Sequence, residues 1–299
     1  MNNTVLSISN LAKSYGSIKA LNGISFDVPK GCVFGILGPN GSGKTTTLGI
    51  ILDVLKANSG SFKWFDKPSS PDTRKQIGSL LETPNFYHYL SALDNLKITQ
   101  AISHRGNEND IEEVLKTVNL AHRKTSKFSS YSLGMKQRLA IGAALLGNPD
   151  VLVFDEPTNG LDPVGIAEIR ELIKHLASEG KTIIMASHLL DEVEKVCTHV
   201  AILKKGILIT AGAVNEVMVN EDIAEVGAAN TQHLFDVLNN FPSSKAIKMV
   251  DGKVQLYFSL GTANLEEINS YCFGKGITLN LLTLKRKSLE AKFFELTNN

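Results

Sequence analysis

The chain is poor in cysteine: Cys32, Cys197 and Cys272 are odd in number and far apart, which fits neither a disulfide framework nor the spacing of metal ligands. Each is read as a small buried hydrophobe. Net charge is equally scarce, with 31 Lys and Arg against 30 Asp and Glu and a formal balance of +1, so no global field draws the chain onto nucleic acid or anionic lipid. No apolar run is long enough to cross a bilayer, and Met1 to Asn10 lacks the basic end and uninterrupted apolar stretch of a secretion signal. A soluble, cytosolic chain is therefore expected. What is abundant is apolar content, 43% of 299 residues, enough for one large or two ordinary globular domains.

Up to about residue 215, short β-branched runs (Val33 to Leu37, Val151 to Phe154, Thr182 to Ala186, Val200 to Leu203) alternate with amphipathic helical segments, which predicts an α/β fold with a mainly parallel sheet. Between Pro84 and Lys127 the apolar residues fall on helical spacings, so a helical insert is expected, placed at about 83–140. Beyond Asn220 the pattern restarts. A helix is expected at Thr231 to Asn239, a hairpin about Asp251-Gly252, a helix at Leu265 to Phe273, a strand at Ile277 to Leu284 and a last helix at Leu289 to Leu296. Asp-Gly between alternating apolar residues signals a hairpin because both central positions of the turn need positive φ. The chain thus reads as a domain at 1–219 and a small α+β domain at 220–299.

Gly38-Pro-Asn-Gly-Ser-Gly-Lys-Thr45 follows the apolar strand Val33 to Leu37 and precedes a helical run from Thr46, the setting of a phosphate-binding loop. There the glycines turn successive backbone N–H groups into one concavity at a helix N-terminus, whose partial positive charge favours phosphate. Gly38, Pro39, Asn40, Gly41, Ser42, Gly43, Lys44, Thr45 and Thr46 are the expected nucleotide contacts. Lys44 would reach the β- and γ-phosphates and Thr45 would ligate Mg²⁺. A plain Gly-rich turn shares the composition but not the agreement of strand, loop, Lys, Thr and helix.

Val151-Leu-Val-Phe-Asp155-Glu156 is an apolar strand ending in two carboxylates, costly unless they meet a cation or line a cleft. Asp155 suits Mg²⁺, and Glu156 can orient and polarise a water attacking the γ-phosphate. Such pairs also occur as solvated strand ends. His188 closes the strand Ile183 to Met185 and would stand near the γ-phosphate if that strand neighbours the Asp155 strand; alone it reads equally as a structural histidine.

With these motifs in this order, residues 4 to about 212 resemble the ATPases of the ABC family, a P-loop NTPase fold with a helical subdomain. The resemblance implies ATP and Mg²⁺ as cofactors and adds residues. Tyr15 matches the aromatic that stacks on adenine. Glu82 stands where most members have a Gln sensing the γ-phosphate and Mg²⁺, which places it among both the catalytic and the metal-holding groups. Ser132-Leu-Gly-Met-Lys-Gln-Arg138 matches the family signature, usually Ser-Gly-Gly-Gln, in which Ser132 and Gly134 remain to contact a γ-phosphate. Gly160-Leu161-Asp162 matches a loop that crosses the dimer interface. Glu82, Leu133 and Met135 depart from the common pattern and resemble the bacitracin-resistance and lantibiotic-immunity branch.

In the family each signature completes the phosphate loop of the opposite subunit, so one loop and one signature imply a second cassette, most simply another copy. The segment around Phe86, Tyr87 and Tyr89 corresponds to the groove that receives a cytoplasmic helix of an integral-membrane permease. The expected protein is thus the ATP-hydrolysing subunit of an exporter, held at the inner face of the cell membrane through that permease, with no nucleic acid as partner. A soluble ABC protein acting on nucleic acid or the ribosome is the rival reading. Such members carry two cassettes or long coiled-coil inserts, and this sequence has neither. A catalytically dead scaffold is disfavoured by the joint presence of Lys44, Asp155, Glu156 and His188.

Overall fold

The computed structural model describes residues 4–217, 221–259 and 261–286. The chain begins with two long antiparallel strands, β1 (Thr4–Tyr15) and β2 (Ile18–Pro29), then β3 (Val33–Leu37), α1 (Lys44–Ile51), β4 (Ser59–Trp64), β5 (Lys67–Pro68), α2 (Pro71–Lys75) and β6 (Ile77–Leu80). Helices α3 (Ala92–Ser103), α4 (Glu108–Thr117) and α5 (Leu133–Leu145) follow, with 3₁₀ turns at Ala121–Arg123 and Phe128–Ser130. Next come β7 (Val151–Asp155), α6 (Pro163–Ser178), β8 (Thr182–Ser187), α7 (Leu190–Val196), β9 (His199–Lys204), β10 (Ile207–Ala213) and α8 (Val214–Val217). The remainder is β11 (Glu221–Ala228), α9 (Thr231–Leu238), β12 (Ala246–Val250), β13 (Lys253–Ser259), α10 (Leu265–Gly274) and β14 (Leu279–Arg286). By its internal contacts the chain divides after Val214 into two units.

In the first unit, six strands lie in the order β10-β9-β3-β8-β7-β6. All neighbours are parallel except the β9–β10 edge hairpin. Every residue of β3, β7 and β8 is buried, which is why these strands read as unbroken apolar runs rather than alternating ones. A second sheet, β2-β1-β4-β5, is antiparallel throughout and adds to the parallel sheet expected from the sequence. Its register shifts at several points along β1, and the adjacent Val5 and Leu6 are both buried, so the period-two signal of a half-buried strand is blurred. The two sheets share a core that includes Leu6, Ile24, Phe34, Ile36, Trp64 and Val153. The buried indole of Trp64 donates to the Ile51 carbonyl at 2.8 Å, so its one polar group is satisfied.

Helix α4 shows how closely pattern and structure can agree. Asn107 caps it by accepting from Asn109 N and Asp110 N, and the Asp110 side chain returns the bond to the Asn107 N–H, a capping box. Ile111, Val114, Leu115 and Val118 are buried along one side.

The second unit runs β-α-β-β-α-β, with strand order β12-β13-β11-β14 and antiparallel pairing throughout, the split βαβ arrangement. Ala224, Val226, Val254, Leu256 and Phe258 from the sheet share a core with Leu234, Leu238, Ile268 and Cys272 from the helices. The expected hairpin is present: Val250 pairs with Lys253, and Asp251 (φ 48°) and Gly252 (φ 72°) both take the left-handed conformation between them. Strand β14 begins at Leu279 rather than at Ile277. The helix expected at Leu289 to Leu296 lies outside the described residues.

Cys32, Cys197 and Cys272 are free and buried. Burial pushes the Cys32 thiol up to about 12, as expected of a thiol used for packing. No helix among the described residues is long and apolar enough to cross a membrane.

Candidate active site

The site follows from sheet order. Strand β8 pairs with both β3 and β7, with Leu37 opposite Ser187 and Asp155 opposite Ala186. The carboxyl ends of three parallel strands therefore bring the Gly38 loop, Asp155-Glu156 and His188 to one edge of the sheet, where open α/β sheets bind ligands. The neighbour relation on which a role for His188 depends is met.

The loop itself is tightly constrained. Gly43 caps α1 at φ 106°, and a Cβ there would lie 2.6 Å from both the Ala20 carbonyl oxygen and Leu21 Cδ2, so only glycine fits. The Gly206 N–H donates to the Ser42 carbonyl at 3.0 Å, and the Asn22 N–H donates to the Gly206 carbonyl at 2.8 Å. The turn between β9 and β10 and the strand β2 thereby hold the loop from behind. This support was not expected from the sequence; its only trace there is Lys205-Gly206 between two apolar runs.

Lys44 is 5% exposed. Its ammonium donates to the carbonyls of Gly38 at 2.8 Å and Pro39 at 3.4 Å, and lies 3.5 Å from Glu156 Oε1. The first turn of α1 contains no acidic residue, so the helix end and Lys44 together present positive charge to an anion. Thr45 is exposed and Thr46 half-buried on that turn. The Ser42 hydroxyl is buried without a hydrogen-bond partner.

Asp155 is buried, and its Oδ1 has no hydrogen-bond partner. Burial pushes its carboxyl above the usual range; the Thr45 hydroxyl opposes that shift, Glu156 adds to it, Lys44 opposes it and Glu82 adds to it. A buried carboxylate with an orphaned oxygen, close to a threonine hydroxyl and within the field of a second carboxylate, is a set of hard oxygen donors suited to Mg²⁺. Glu82 itself is exposed, two residues beyond β6, at φ 57°.

Glu156 also takes a left-handed conformation, φ 49°, fixed by its N–H donating to the Ala186 carbonyl at 3.0 Å. Its Oε2 lies 2.8 Å from His188 Nδ1 and accepts from the His188 N–H at 3.4 Å. One carboxylate is thus held between an ammonium and an imidazole at the mouth of the phosphate loop, the geometry of an oriented base. The Thr158 hydroxyl, buried and unpartnered two residues on, is a polar group at this edge that the sequence did not mark.

Tyr15 is 48% exposed at the end of β1, with Lys13 Nζ 5.2 Å above its ring. The strand it pairs with, β2, carries the Ala20 and Leu21 that touch Gly43. Ser132 and Gly134 are elsewhere. Ser132 caps α5 by accepting from Met135 N at 3.3 Å, Gly134 faces open space, and among the described residues no hydrogen bond or ion pair joins either of them to residues 38–45.

The chain resembles known proteins in both sequence and fold. The sequence model described as ABC transporter matches residues 21–159. The bacitracin transport ATP-binding protein of Bacillus licheniformis is 35% identical, covering 98% of this chain and 97% of its own. A lantibiotic transport ATP-binding protein of Streptococcus pyogenes is 40% identical over 69% of this chain and 89% of its own. Among solved structures, a dimeric ATP-binding cassette in a post-hydrolysis state with ADP and Pi superposes with a TM-score of 0.63 at 27% identity, covering 70% of this chain and 98% of that one.

Proposed function

The chain belongs to the ABC transporter family as an ATP-binding, ATP-hydrolysing subunit, and from that premise we propose that two copies close on MgATP to drive a separate permease exporting a peptide antibiotic. The observation that carries this reading is the convergence of Lys44, Asp155, Glu156 and His188 at the ends of three adjacent strands.

Residues 1–219 carry the nucleotide chemistry. Tyr15 offers its exposed ring to adenine. Backbone N–H groups of the loop Gly38 to Thr45, Pro39 excepted, with Thr46 on the same turn, receive the phosphates, and Lys44 neutralises the terminal one. Glu156 accepts a hydrogen bond from the attacking water and aligns it, while the 2.8 Å contact with His188 fixes the direction of that carboxylate. Thr45, Asp155 and Glu82 would hold Mg²⁺, which supplies charge neutralisation to the phosphates. Ser132 and Gly134 are unconnected to their own loop because they serve the loop of the second copy, where the N-terminus of α5 faces the γ-phosphate. Closure with ATP and reopening after hydrolysis is then a two-state switch biased by one phosphate.

Force leaves through the segment after Glu82. A cleft of about 320 Å³ is lined by Phe86, Tyr87, Asn95, Ile98 and Ile102. The buried Asn95 holds its wall, accepting from the Tyr87 N–H at 2.8 Å and donating to the Tyr87 carbonyl at 3.1 Å. This cleft suits an inserted helix of the permease, which would keep the subunit at the inner face of the membrane. Peptide cargo rests on the likeness to the bacitracin and lantibiotic proteins. A role on nucleic acid or the ribosome is not favoured.

The test is Glu156→Gln, which preserves shape and removes the base. It should bind ATP without turning it over and accumulate as a dimer, read by sedimentation with saturating ATP and Mg²⁺. A variant that stayed monomeric would sink the pairing.

A further inference from the structure

Two helices bear the loops assigned to pairing: α5, capped by Ser132, and α6, capped by Asp162, whose side chain accepts from the Gly165 N–H at 2.9 Å. The two capped segments approach each other at two places. At their heads, Leu133 Cδ2 lies 3.4 Å from the position a Cβ would take on Gly160. Six residues past each cap, Arg138 Nε of α5 lies 3.6 Å from Glu168 Oε2 of α6, about 9 Å further along the axes at 1.5 Å per residue. The first approach lies one residue past the α5 cap and two before the α6 cap, the second six residues past each, so the two segments run in the same sense. Arg138 also donates to the Val118 and Asn119 carbonyls at 3.3 Å each, which ties the end of α4 to the same joint.

We infer that Leu133 and the Arg138–Glu168 pair form a two-point brace holding the signature and the Gly160-Leu161-Asp162 loop in fixed register, so that the second copy meets one preassembled surface. The inference rests on the paired-copy reading above. It also accounts for Leu133, since the common pattern has a glycine there with no side chain to offer, whereas this chain seats an aliphatic group against its own neighbouring loop. Leu133 and Glu168 are positioning residues, since neither is placed against nucleotide. The brace works without deep burial. Leu133 is 47% exposed, the Glu168 side chain is 46% exposed, and a cavity of about 270 Å³ lined by Thr117, Arg138, Glu168, Leu172 and His175 adjoins the pair. Either residue can therefore be changed without opening a hole in the core.

The experiment places Leu133→Gly and Glu168→Gln separately in the Glu156→Gln chain. It measures ATP-driven dimerisation by sedimentation, nucleotide affinity of the single chain with a fluorescent ATP analogue, and Tm. The ATP concentration for half-dimerisation should rise about tenfold for Leu133→Gly, the scale set by removing an aliphatic side chain from apolar packing, and about threefold for Glu168→Gln, as for a partly exposed ion pair. Nucleotide affinity should stay that of the parent, and Tm should fall by no more than about 5 °C, the scale of the packing removed. Unchanged pairing in both variants would overturn the brace while leaving the pairing intact. So would a loss for Leu133→Gly with none for Glu168→Gln, which would make Leu133 a direct contact to the second copy. A much larger fall in Tm, with pairing falling in step, would reduce both residues to packing. A parent that does not dimerise removes the paired-copy reading and the brace with it.

Discussion

Lys44 serves two neighbours at once, closing the loop through the Gly38 carbonyl and standing 3.5 Å from Glu156. Lys44→Ala removes the ammonium beside Glu156, leaving that carboxylate and Asp155 to repel phosphate. Nucleotide affinity is expected to fall at least about tenfold, the range for loss of one charge-assisted hydrogen bond, as measured with a fluorescent ATP analogue. Glu82 raises the opposite question, because a carboxylate repels phosphate and attracts metal. Glu82→Gln should raise the Mg²⁺ concentration for half-maximal hydrolysis about threefold or more, since a neutral amide is the weaker donor to a hard cation. An unchanged Mg²⁺ requirement would exclude Glu82 from the metal-holding set. The candidate site residues were legible one by one because strand, glycines, Lys and Thr are contiguous, and Asp155-Glu156 end a strand. Whether His188 reaches Glu156 was not readable, since it depends on β8 lying between β3 and β7.

Elements carry their own tests. A methyl group at Gly43 would meet backbone at Ala20 as well as the Leu21 side chain, at φ 106°, so Gly43→Ala should cost about 1–3 kcal/mol and lower both Tm and nucleotide affinity. Loss of affinity with an unchanged Tm would mean the loop yields rather than strains. In the second unit, Glu225 is buried between Lys253 at 2.9 Å and Lys285 at 2.7 Å. The hydrogen bonds from Lys285 and Lys253 hold its carboxyl down at about 2. A group whose folded value lies below its unfolded one stabilises above the unfolded value and loses that contribution as pH falls towards the folded one. The stability advantage of the native chain over Glu225→Gln, read by denaturant titration, should accordingly be full near neutrality and shrink below pH about 4.5. Both lysines are about half exposed, so added salt should reduce the difference. The Asp251-Gly252 hairpin and α4 were legible because turn chemistry and helix spacing are local. Strand β6 has only four residues, Ile-Gly-Ser-Leu, too short to stand out, and the Gly206 support uses backbone atoms, which leave little imprint on residue type.

At the scale of the molecule, every residue given a nucleotide role lies in the first unit, whose cluster around Leu6, Trp64 and Val153 is built from its own residues. A chain ending at residue 217 should therefore bind ATP analogues within about twofold of the full chain, as a unit with its own core does. Loss of binding would show that the second unit shapes the site. Pairing and transport are proposed for an assembly, and Ser132 and Gly134 gained meaning only by resemblance, since among the described residues no hydrogen bond or ion pair joins them to residues 38–45.

The position of β3 has a consequence for how the protein is made. Its two sheet neighbours are β8 and β9, so the apolar strand leading into the phosphate loop leaves the ribosome about 150 residues before either partner exists, an interval of roughly 10–30 s at ordinary elongation rates. Through that interval the nascent chain has no ATP site and carries an unmatched apolar strand. Strands β6 and β7 are also made before β8, which joins them to β3, so the sheet stays in two pieces until residue 187 has been made, and a stall in translation before residue 182 would leave apolar strands without their partners.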